Sequence, residues 1–140
     1  MPGRRGRQQS LSETSLGEVL PVIYDTDNPR GLGTQNPASY TLTQRGREHW
    51  LTKLRGTGEK DREFWTKLPG FYWSATVNKT KPGSEVLAVH SNYATEWGKM
   101  PILVIRQEGA GKSLYLGTDS AWRWRRGVED KYHYRFWSQV

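Results

Sequence analysis

Any core this chain builds has to pass through residues 100–140, MPILVIRQEGAGKSLYLGTDSAWRWRRGVEDKYHYRFWSQV. Two short apolar runs, 101–105 and 114–116, flank a Gly-rich turn and predict the two strands of a β-hairpin. The second run leads into Gly117-Thr118-Asp119, then Trp122-Arg123-Trp124-Arg125-Arg126, then Tyr132-His133-Tyr134-Arg135-Phe136-Trp137. Large rings bury more area per residue than aliphatic side chains do. A segment this dense in rings is where the interior is expected.

The rest of the composition supports that expectation. The chain has 140 residues, the size of one ordinary domain, but only 34% are hydrophobic and the mean hydropathy is −0.83. The aromatic share of 12% compensates, so the predicted core is small and ring-rich. The net charge of +7 is unevenly placed: Arg4, Arg5 and Arg7 crowd the first nine residues. Residues 1–9 read as a solvated, disordered basic arm, with contact to nucleic acid or an acidic membrane as the sharper reading. The absence of cysteine removes disulfides, thiolate catalysis and Cys-based metal sites. No apolar run approaches membrane-spanning length and no secretory signal follows the basic N-terminus, so the expectation is a soluble, cytoplasmic chain.

Taken in order, residues 10–20 predict a short helix capped by Thr14 or Ser15, with Glu18 completing a capping box and Pro21 ending it. Residues 24–40, rich in Asp, Asn, Gly and Pro, read as a long exposed loop. Asp25 and Asp27 act there as turn formers, because no Glu closes a calcium-loop pattern. Residues 61–68 predict a helix with Asp61 as N-cap and Phe64, Trp65 and Leu68 buried. Residues 71–78 alternate as one strand, 86–89 form another, and 91–99 read as polar turn. A short helix near 121–125 and a final helix from Asp130, with Tyr132 and Phe136 on its inner face, complete the chain.

These residues carry a resemblance. Leu114-Tyr115-Leu116-Gly117-Thr118-Asp119, Trp122-Arg123-Trp124-Arg125 and Tyr134-Arg135-Phe136-Trp137 resemble the end of a bacterial group of class I glutamine-amidotransferase-like domains. Thr14-Ser15-Leu16-Gly17-Glu18-Val19-Leu20-Pro21-Val22 looks like the middle of that family. Leu68-Pro69-Gly70-Phe71-Tyr72-Trp73, Lys81-Pro82-Gly83 and Val86-Leu87-Ala88 look like its later strands. The resemblance spans residues 10–140 and implies an α/β, flavodoxin-like fold with a mostly parallel sheet, here a mixed sheet with a C-terminal hairpin and terminal helix. It further implies that the chain is the C-terminal half of such a domain. Its partner would then be another protein, or a second copy completing the sheet.

The chemistry of the family does not carry over. Class I amidotransferases use Cys, His and Glu, with His and Glu two residues apart after a late strand. The matching position here is Gly117-Thr118-Asp119, and none of His49, His90 and His133 has Glu two residues on. The reading is therefore not an enzyme and no cofactor. Glu108–Ser113 imitates a phosphate loop, but Arg106 stands where the pattern needs Gly, and a strand rather than a helix follows. Asn78-Lys79-Thr80 is a chance sequon, and the scattered histidines suggest no metal site.

The best candidate site is Thr118, Asp119, Trp122, Arg123, Trp124, Arg125 and Arg126, because α/β sheets bind ligands beyond the carboxyl ends of their strands. One reading makes it a structural corner, with the tryptophans in the core and Asp119 capping the turn or pairing with Arg123. The other makes it an interaction or anionic-ligand surface charged by Arg123, Arg125 and Arg126. Two functions follow: a non-catalytic amidotransferase-like binding module, or a nucleic-acid binder using Arg4, Arg5, Arg7 and the Trp-Arg cluster. A third alternative is a fragment without autonomous function.

Overall fold

The computed structural model describes residues 2–56, 59–127 and 130–140. Its centre is a four-stranded antiparallel sheet in the order β3 (Tyr40–Leu42), β6 (Ser84–Thr95), β7 (Gly98–Glu108), β8 (Gly111–Leu116). Strand β7 is dry from Met100 to Ile105, which explains its unbroken apolar run: a strand covered on both faces has no reason to alternate. It pairs with β8 from Leu103 opposite Leu116 to Glu108 opposite Gly111, around a turn of Gly109 and Ala110. Gly109 sits at φ 55°, where a side chain would be strained. This is the hairpin that the two apolar runs predict, and it disposes of the phosphate-loop imitation, since Lys112 and Ser113 lie in a strand.

Two ribbons flank the sheet. β1 (Val22–Tyr24) pairs with β5 (Val77–Thr80), and β2 (Leu32–Ala38) pairs with β4 (Phe71–Ser74), both antiparallel. The β1–β5 ribbon rests on β6 and β7. Helix α1 (Leu16–Val19) follows a 3-10 turn at Arg7–Glu13, and α2 (Gln44–Glu48) packs on β6. The approach of α2 is close enough that a Cβ on Gly46 would fall 1.8 Å from the Leu87 carbonyl oxygen. Thr43 caps α2, accepting from the Gly46 amide at 2.9 Å and donating to the Val86 carbonyl at 2.6 Å. Helix α3 (Glu59–Lys67) lies against β3, and α4 (Trp124–Gly127) and α5 (Asp130–Gln139) close the C-terminal side.

The chain is thus a mixture of α and β, as read from the sequence. Its pairing differs from what the resemblance implies: every strand pair among the described residues is antiparallel. For two of these pairs the cause is connection length: two-residue turns join β6 to β7 and β7 to β8, and such turns can join only antiparallel neighbours.

Other differences have local causes. Residues 91–99 are not a free turn but the overhanging ends of β6 and β7, with Glu96 and Trp97 between them. Residues 71–78 break into β4 and β5 because Ala75 donates to the Gly117 carbonyl at 2.8 Å and Thr76 Oγ1 to the Asn28 carbonyl at 2.8 Å. The strand changes partner at that point. Residues 24–40 contain β2, although most of it is exposed. Asp25 is a turn former as expected: its carboxylate accepts from the Asp27 amide at 3.0 Å and from Asn28 Nδ2 at 2.7 Å. Ser15 precedes α1 without a side-chain cap bond, and Asp61 lies inside α3, where it accepts from the Arg55 amide at 2.7 Å. In the N-terminal stretch, Gln8 is buried and Gln9 Nε2 donates to the Asp25 carbonyl at 2.6 Å.

The core is aromatic. Tyr40 lies edge-on to Trp65, Phe71 and Trp124 at centroid distances of 5.9, 4.9 and 5.5 Å. Phe136 of α5 lies edge-on to Trp124 at 5.3 Å and to Trp65 at 6.3 Å. Phe64, Trp65 and Leu68 of the α3 segment and Tyr132 and Phe136 of α5 are buried, as their helical spacing predicts.

Candidate functional site

The candidate residues begin where β8 ends. Gly117 is tied on both sides, donating to the Ile102 carbonyl at 2.7 Å and accepting from Ala75 at 2.8 Å. Thr118 follows and is fully buried. Its hydroxyl donates to the Trp73 carbonyl at 2.7 Å and accepts from the Ser120 amide at 3.2 Å. Thr118 is therefore a structural clamp between β4 and the corner, with no lone pair offered to solvent. Asp119 precedes the 3-10 turn Ser120–Arg123 but makes no side-chain cap bond to it, and accepts instead from Ser120 Oγ at 3.3 Å. The expected Asp119–Arg123 ion pair is not among the ion pairs of the described residues.

The corner then separates its two tryptophans. Residues two apart on a helical turn point about 200° from each other. Trp124 is 0% exposed and joins the core rings, while Trp122 is 50% exposed. Inside, burial drives the Tyr40 hydroxyl far above its ordinary pKa, and the charge of Asp119 adds to the rise. Neither the Tyr40 hydroxyl nor the Trp124 indole N–H reaches hydrogen-bond geometry with a described group.

Outside, the arginines arrange themselves on rings. The Arg123 guanidinium carbon lies 5.0 Å from the Tyr72 ring centroid and 5.7 Å from that of Trp122. Arg126 lies 5.7 Å from Trp122, and Arg125 lies 5.8 Å from Tyr134. Arg125 also meets Asp130 at 3.6 Å. Arg123 and Arg126 have no acidic partner among the described residues. Two open hollows, of about 240 and 330 Å³, share Trp122 and Arg126; among the described residues Pro69 and Arg123 also line the first, and Arg125 and Asp130 the second.

The structure thus divides the seven candidates. Thr118 and Trp124 belong to the interior, Asp119 sits half-buried at the corner, and Trp122, Arg123, Arg125 and Arg126 form a surface. It adds Tyr72 from β4, Tyr134 from α5 and Pro69. Tyr72 was legible in part, since it alternates with the buried Phe71 and Trp73. Its company with Arg123 was not. Arg4, Arg5 and Arg7 are exposed and lie in the segment anchored through Gln8 and Gln9 to residues 25–29.

The histidines serve separate local roles. His49 Nδ1 accepts from Leu51, His90 Nδ1 accepts from Asn92 and Tyr93, and His133 Nδ1 meets the Ala121 carbonyl, all at 3.1–3.2 Å. Among the described residues no group of three or more His, Asp or Glu is placed to hold a metal. Among the described residues no helix is long and apolar enough to cross a membrane.

No protein-family model, curated protein or solved structure matches the chain.

Proposed function

We propose that this chain is a non-catalytic binding module that takes an anionic ligand on the Trp122–Arg126 surface. The observation that carries the reading is the pair of guanidiniums, Arg123 and Arg126, flanking a half-exposed indole with no acid to neutralise them among the described residues. A cation held over a ring keeps its charge available while its orientation is restricted, which lowers the entropy lost on binding an anion. The motif resemblance alone supports a relation to amidotransferase-like domains; the antiparallel pairing does not add to it. What supports the non-catalytic part is the lack of the cysteine nucleophile and of the His-x-Glu pair that glutamine hydrolysis of the amidotransferase kind requires.

Calorimetric titration with inorganic tripolyphosphate tests the surface directly. Saturable binding is expected, weakened at least tenfold by the double substitution Arg123→Gln and Arg126→Gln. Binding that the double variant retains in full sinks the assignment. Glutamine hydrolysis by the purified chain would overturn the non-catalytic reading.

A further inference from the structure

We infer that the ligand of this surface is single-stranded nucleic acid, an inference that rests on the anionic-ligand reading and narrows it. A patch for a small anion needs converging donors and little else. This surface supplies aromatic faces as well. Tyr72, Trp122 and Tyr134 are 38%, 50% and 57% exposed, and each carries a guanidinium near its ring. The rings come from three separate elements: β4, the corner after β8, and α5. Arg123 connects the first two by lying near both Tyr72 and Trp122. Ring and charge therefore alternate from Tyr72 through Arg123 to Trp122 and Arg126, with Arg125 and Tyr134 beyond.

A single strand presents the matching alternation. Its bases offer flat faces to exposed rings, and its phosphates recur between them to meet the guanidiniums. A duplex hides the base faces, so it can use only the charges. Two open hollows both border Trp122 and Arg126, so the indole and this guanidinium are reachable from each. The charge is uneven across the surface. Arg125 is partly neutralised by Asp130, whereas Arg123 and Arg126 stand free of acids among the described residues, so the strongest phosphate contacts centre on Trp122.

The test uses fluorescence anisotropy of the full chain with four probes of similar charge: a mixed-sequence single-stranded oligonucleotide, an abasic strand of the same length, the duplex, and inorganic polyphosphate. The base-bearing strand is expected to bind at least tenfold more tightly than the abasic strand, the duplex or polyphosphate. Trp122→Ala is expected to erase that advantage, and Trp122→Phe to keep part of it. Single-strand binding loses about 0.7 in the slope of log affinity against log salt for each phosphate contact removed, so Arg126→Gln should lower the slope by about that amount. Equal binding of abasic strand or polyphosphate overturns the nucleic-acid inference and leaves the anion reading standing. Failure of every probe overturns both. Amide NMR spectra of the variants confirm that each is folded, and a Trp122→Ala spectrum that stays dispersed while the base-dependent advantage persists also overturns the inference.

Discussion

Trp124 and Trp122 are separated by one residue and lead opposite lives. Trp124 sits among Tyr40, Trp65 and Phe136, edge to face, with no cation near its ring among the described contacts. Trp122 has no ring partner of that kind among the described residues and carries two guanidiniums instead. The inner cluster gains from area removed from water and from quadrupole-aligned packing. The outer set gains little from burial, and its cation–ring contacts are weak at exposed positions. Interior rings hold the fold, and the exposed rings are free to serve something else.

That contrast can be broken most easily from the inside. Trp124→Ala should cost about 3–5 kcal/mol in urea unfolding, because the cavity lies where β3, α3 and α5 converge. A loss below about 1 kcal/mol would mean that the cluster collapses around the gap and does not hold the fold. Next in size is Thr118→Val. It leaves the Trp73 carbonyl and the Ser120 amide without their shared hydroxyl, at about 1–3 kcal/mol. An unchanged stability would return Thr118 to the list of ligand-facing residues.

The third prediction concerns pH. His90 is buried with Nδ1 accepting two backbone amides, and desolvation pushes its pKa down from 6.5 to about 4. The unfolded chain then binds a proton that the folded chain refuses. Stability from this group is complete above pH 6.5 and is lost progressively as pH falls towards about 4. Urea unfolding in wild type and His90→Asn from pH 7 to 4 should show a decline that is shallower in the variant. Parallel declines would mean that His90 takes up its proton alike in the folded and unfolded chains. The smallest effect is expected at Trp122→Ala, within about 0.5 kcal/mol of wild type in stability. A loss as large as that of Trp124→Ala would erase the distinction between the two rings.

Several elements were legible because their information is local. The β7–β8 hairpin follows from two apolar runs around a glycine turn, and α5 from the spacing of Tyr132 and Phe136. The β6–β7 hairpin was hidden because residues 91–99 are mostly polar and none is fully buried, although Ser91, Tyr93 and Thr95 alternate as half-covered positions. The break between β4 and β5 was hidden because its causes, Asn28 and Gly117, are remote in the chain. At the site, the sequence allowed both tryptophans in the core or the whole cluster as a surface, and it did not separate Trp122 from Trp124. Nothing local said which face would be covered, and nothing local linked Arg123 to Tyr72.

Hydrophobic pattern and turn chemistry were enough to settle which segments prefer to be dry, where the last hairpin turns, and that no thiol chemistry can occur. Those are properties of a residue and its near neighbours along the chain. The antiparallel pairing throughout the described sheets, the burial of Trp124 rather than Trp122, and the gathering of Tyr72, Trp122 and Tyr134 with three arginines had to wait for the folded molecule. A sequence records what each side chain gains by leaving water, but the element that takes it out of water is a long-range partner, chosen only when the whole core packs at once.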